Sequence, residues 1–172
     1  METPDDIAFA YIAQRVRERK PERLLLIEAS DSAHSQLADA ATEAGTVTAE
    51  RLSAADALST PSPTAPSRYD AAIVFAPAFS TLATDRAQQL LSRLRDQLAD
   101  TVIACVDTRD AQSADWTIAR FIGLGFRRSA DSRGLDTPIA IYRYDIHDYK
   151  TTPDWLNSRY WANPERWDRD RW

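Results

Sequence analysis

A chain of 172 residues has room for one domain with a properly buried core, and 44% hydrophobic with 27% charged residues is ordinary globular composition. The formal net charge of −5 opposes non-specific nucleic-acid binding, although arginine supplies all of the 21 basic residues but Lys20 and Lys150. The single cysteine excludes a disulfide framework, and no apolar run approaches the ~20 residues of a membrane span.

The opening "METPDDIAFAYIAQ" is acidic and lacks a long apolar core, so it does not read as a signal peptide, and a cytoplasmic location is expected. Pro4, Asp5 and Asp6 suit the first turn of a helix, where proline costs no hydrogen bond and carboxylates meet the positive dipole end. Ile7, Tyr11 and Ile12 then share a face, and Pro21 ends the helix near Lys20. "RLLLIEA" (23–29) is a short continuous apolar run, as expected of a strand covered on both faces. Ser30 to Ser32 offer caps for a helix that Gly45 stops, and "TVTAERL" is a second, weakly alternating strand.

Three prolines in "STPSPTAPS" (59–67) make a stiff surface loop, not a domain boundary, because strands resume at once. "YDAAIVFA" (69–76) and "DTVIACVDT" (100–108) read as buried strands. Leu90, Leu91, Leu94 and Leu98 stripe a helix between them that starts near Thr81. Cys105 falls inside the second run, so it reads as a small buried hydrophobe, not a catalytic thiol. Trp116, Ala119, Phe121 and Ile122 belong to a helix that stops at "GLGF". "FRRSADS" and "TPIAIYRYDI" are then two strands joined by a turn at Arg133-Gly134. Strands alternating with helices imply parallel pairing and right-handed crossovers, while the last short connection permits only an antiparallel hairpin. The expected class is α/β and Rossmann-like, a mostly parallel sheet with helices on both faces and a C-terminal antiparallel hairpin. Residues 1–150 make one domain and 151–172 a tryptophan-rich tail packed on it.

That architecture resembles the S-adenosylmethionine-dependent methyltransferases, over roughly residues 23 to 146. "LSAADALSTP" is similar to the family's segment that cradles adenine, which implies Asp56 at that edge. Ala76-Pro77-Ala78-Phe79 stands where the family carries an Asn/Asp-Pro-Pro-aromatic tetrapeptide. The departures are as informative. Such enzymes have a glycine-rich loop after the first strand so that backbone can approach the cofactor closely. Here that loop is Glu28-Ala29-Ser30-Asp31-Ser32, and the four glycines stand elsewhere, at 45, 123, 125 and 134. The stretch from Arg23 to Tyr69 fits two strand–helix units, not the three that the full fold places before its fourth strand.

The expectation is therefore a domain of this fold with no cofactor, acting through contacts with an unknown protein partner or a second copy, and with no membrane or nucleic-acid partner. The alternative is a divergent methyltransferase that binds S-adenosylmethionine with Asp31, Glu50, Asp56, Pro77 and Phe79. Glu50 lies about 20 residues past the first strand, where Rossmann folds place a ribose-binding acid. Asp31 and His34 share a helix start, with Asp31 read first as its cap. No catalytic residue is assigned. Asp145, His147 and Asp148 are metal-ligand types, but alternation along a strand lets only two share a face, so no metal is expected. His34 and His147 should stand at opposite ends of the sheet.

Four of the five tryptophans fall in the tail, "TTPDWLNSRYWANPERWDRDRW", where arginines alternate with acids. The tail resembles the C-terminus of an uncharacterised proteobacterial family, which implies a bacterial source and supplies no activity. Trp155, Tyr160, Trp161, Trp167 and Trp172 are its interaction residues, clamped on their own sheet edge near Tyr11 or anchoring a partner.

Overall fold

A strand with no polar face must be covered on both sides, and the run at 23–27 is placed accordingly. The computed structural model describes residues 4–45, 48–61, 68–129 and 139–149. In it β1 (Arg23–Ile27) buries Leu24, Leu25, Leu26 and Ile27 completely. β2 (Thr48–Leu52) flanks it on one side and β3 (Tyr69–Val74) on the other, both parallel to it. β4 (Ala99–Asp107) continues the parallel set, β6 (Ile139–Asp145) runs antiparallel to β4, and β5 (Arg127–Arg128) pairs antiparallel with β6. The sheet order is β2-β1-β3-β4-β6-β5. The α/β class, mostly parallel with a closing antiparallel pair, is as the sequence implies.

Alternate residues feed two cores. Leu24, Leu26, Ile73, Ile103 and Ile141 lie under α1 (Pro4–Arg19) and α2 (Asp31–Ala44), with Cys105 buried among them as expected. Leu25, Ile27, Val74, Val102 and Tyr142 face the opposite layer of α3 (Ala54–Ser59), α4 (Pro77–Thr81), α5 (Thr84–Arg93) and α6 (Ile118–Gly123). The leucine stripe is buried from Leu90 to Leu98, because α5 runs on through a wider π turn at Leu94–Leu98.

Ser30 caps α2 by accepting the Ala33 N–H at 3.1 Å, and Gly45 closes it at φ 91°, a left-handed conformation that suits glycine. Between β2 and β3 the described chain forms only the short α3, so β2 is the edge of the sheet among the described residues. The segments compared with the methyltransferases' ligand stretches form the short helices α3 and α4. Two expectations need correction. Among the described residues β5 is only Arg127–Arg128 of the run 126–132, and the rest of that run from 130 and the Arg133-Gly134 turn lie outside the described residues. β6 stops at Asp145, because Ile146–Tyr149 turns into a helix, α7. No described helix is long and apolar enough to cross a membrane.

Candidate functional site

In an open parallel sheet the crevice lies at the carboxyl ends of strands whose crossovers leave in opposite directions. Here that point is β1, with β2 on one side and β3 on the other. The chain leaving β1 enters at Glu28, whose φ of 56° is left-handed, the region where glycine is favoured. Its backbone N–H donates to Leu52 O at 3.1 Å, and its carboxylate accepts the Ala54 N–H at 2.7 Å. Ala54 opens α3, so the side chain meets one of that helix's unpaired donors. Glu28 thus straps the carboxyl end of β1 to the end of β2.

Two hollows flank this strap, and Glu28 lines both. One, of about 110 Å³, is walled by Phe9, Ser30, Phe75, Pro77 and Cys105. The other is a solvent-open notch of about 300 Å³ between Glu28, Ala29, Arg51, Leu52 and Ser53. Sites that enclose a small organic ligand measure roughly 300–1,000 Å³. The first hollow falls below that range and the second sits at its floor. S-adenosylmethionine needs a continuous groove with close backbone approach. A glutamate strap between two small hollows does not fit it.

The residues named for cofactor binding are dispersed. Asp31 is the first residue of α2, and Ser30, not Asp31, is the cap. The exposed Asp31 carboxylate pairs with Arg51, whose hydrogen bond and charge hold its pKa below the ordinary carboxylate value. Glu50 lies opposite Leu25, two positions short of the carboxyl end of β2, and accepts the Tyr69 hydroxyl. Burial, then that bond to Glu50, pushes Tyr69 up to about 12. Asp56 is in the first turn of α3, where its N–H reaches Ser53 Oγ at 3.0 Å and its carboxylate accepts the Ser53 hydroxyl at 2.7 Å. Pro77 opens α4 and does line the smaller hollow. Phe79 is 1% exposed and packs edge-on against Trp116 at 4.9 Å, inside the core.

The structure therefore brings Asp31 and Pro77 near the carboxyl edge and leaves Glu50 and Phe79 engaged elsewhere. Sequence reasoning missed Arg51, for which no local signal exists. It flagged Glu28 only as a missing glycine. His34, on the first turn of α2, and His147, beyond the end of antiparallel β6, do lie at opposite ends of the sheet. His147 is not in a strand as expected; its N–H is capped by Asp145 at 2.9 Å. The Tyr11 and Ser129 hydroxyls share a hydrogen bond. Trp155, Tyr160, Trp161, Trp167 and Trp172 lie outside the described residues.

A family model described as a family of unknown function, DUF6231, matches residues 7–172. A search of the curated proteins finds no match. Among solved structures the chain is similar to the methyltransferase domain of bacterial CtHen1, at 12% identity and a TM-score of 0.50, covering 83% of this chain and 100% of that one. It is also similar to a putative O-methyltransferase from Nostoc punctiforme, at 15% identity and a TM-score of 0.51, covering 79% of this chain. The chain spans about half, 55%, of that second protein. At such identities these likenesses show a methyltransferase-like fold and nothing finer.

Proposed function

The chain belongs to the DUF6231 family of unknown function, and we propose that it is a non-catalytic methyltransferase-fold domain that acts through protein contacts in the cytoplasm. The observation that carries this reading is Glu28. Its Cβ and carboxylate occupy the turn after β1, where close backbone approach would be needed, and its bond to the Ala54 N–H closes β1 against α3. The sheet edge at β2 supports it too, since one wall of an adenosine site is absent among the described residues. Contacts with another protein are supported by α6, where Ile118 and Ile122 stand four positions apart, 46% and 62% exposed. The tryptophans, tyrosine and arginines of the tail are residue types that dominate interface energies.

The test is titration with S-adenosylmethionine and its demethylated product. A ligand at 100 times its dissociation constant adds about 2.7 kcal/mol of stability, which a melting curve reads as a shift of several degrees. No saturable shift is expected with either compound. A saturable shift with either compound would overturn this reading and point instead to a divergent methyltransferase, to be tested next for methyl transfer.

A further inference from the structure

A hollow of about 170 Å³ at the amino edge of the sheet lies between the C-terminal half of α1 and the first residues of β3 and β4. Its floor is apolar, made by Val16, Ile73 and Ile103. Its rim carries both signs of charge, Arg15 and Arg19 from α1 facing Asp70 and Asp100 from the strands. His147 also lines it, and the described chain ends two residues later at Tyr149.

Antiparallel β6 delivers the chain to this edge, and its exit is fixed there. Arg19 holds the buried Asp145 carboxylate at 3.0 Å, the other Asp145 oxygen caps His147, and Arg143 pairs with Asp148 at 2.6 Å. The described chain therefore ends beside an apolar hollow, and the sequence beyond it, residues 150–172, holds four tryptophans among alternating arginines and acids.

We propose that this C-terminal segment folds back onto its own domain and seats Trp155 in the amino-edge hollow. Reach does not limit it, because the eight positions from His147 to Trp155 span up to about 27 Å when extended. The apolar floor takes the ring. The rim meets its polar edge, since a buried indole N–H needs an acceptor. Asp70 and Asp100 each keep lone pairs beyond the bonds they make, Asp70 to the Arg23 N–H at 2.8 Å and Asp100 to Arg68 at 3.0 Å. A rim of two arginines and two aspartates suits a segment in which Asp154 and Arg159 flank the tryptophan in sequence.

The experiment uses the full chain and limited trypsin digestion at Arg159 and Arg166, read beside sedimentation. Trp155→Ala empties the hollow and Ala71→Arg, on its wall, fills it. Each should speed tail cleavage about tenfold or more, and the double variant no further than either alone, because both break one contact. An exposed control, Gln36→Arg on α2, should leave the rate unchanged. Near-ultraviolet dichroism of Trp116, buried in the core, reports that each variant is folded. If Ala71→Arg does not fold, Asp100→Arg at the rim takes its place in the cycle. Unchanged cleavage in Trp155→Ala, or accelerations that multiply in the double variant, would overturn the proposal. So would a dimeric parent that each variant converts to monomer, since the tail would then occupy a second copy.

Discussion

At Glu28 two energies of similar size oppose each other. The left-handed backbone costs a side-chain-bearing residue about 1–2 kcal/mol, and a hydrogen bond from a backbone N–H to a carboxylate returns about 1.5–3. Glu28→Ala keeps the cost and loses the bond, so it should destabilise by about 1.5–3 kcal/mol. Glu28→Gly loses the same bond but relieves the strain, so it should melt above the alanine variant by about 1 kcal/mol. That order reverses the usual ranking of the two residues, and an equal or lower melting point for glycine would refute it. Tyr69 makes a second claim at this scale. Its pKa is raised to about 12 by burial and by Glu50, so below pH 10 its neutral form contributes fully to stability. As pH rises from 10 to 12 the unfolded chain ionises while the folded one resists, and the contribution is lost. Chemical denaturation of wild type and Tyr69→Phe should show a stability difference of about 1 kcal/mol near pH 9 that shrinks by about pH 11.5. A constant gap would rule out the raised pKa.

Among the elements, α6 shows how tertiary contacts decide what a short segment does. Six residues are too few for a helix to persist on propensity alone. The fully buried Phe121 ring fixes it, stacked on Tyr142 at 3.8 Å and 5.2 Å from Trp116. Phe121→Ala should cost about 3–5 kcal/mol in denaturant unfolding, whereas Ile122→Ser, one residue on and exposed, should stay within about 0.5. Similar losses at the two sites would mean that the ring contacts contribute little. This cluster also explains one limit of sequence reading. Phe79 stood in a motif-like tetrapeptide, but Trp116 and Phe121, distant in sequence, draw it into the core. By contrast, the run at 23–27 and the Gly45 stop were legible, because each follows from local chemistry, whereas the cap read first at Asp31 falls to Ser30.

For the whole molecule, the alternation of strands and helices disclosed the parallel sheet, and the short interval from Arg23 to Tyr69 disclosed that two strands precede β3 among the described residues. The site was less legible. A glutamate in sequence carries no sign of a positive φ, and its partner at Ala54 is set by how β2 returns beside β1. The same topology has a consequence in time. Arg23 pairs with Thr48, Leu24 with Ala71, Tyr69 with Ala99, and Asp107 with Ile139, so the ladders from β2 across to β4 and its pairing with β6 all join residues far apart in sequence. Each of these ladders must close a long loop before its contacts repay the lost entropy, so folding is slower than that of a helical bundle of similar size. During that interval "RLLLI" and "TVIACV" are uncovered together, two strongly apolar segments awaiting their helices. The newly made chain is thus most prone to aggregate before α1 and α2 have docked, and a cell that makes much of it depends on holding those two strands apart.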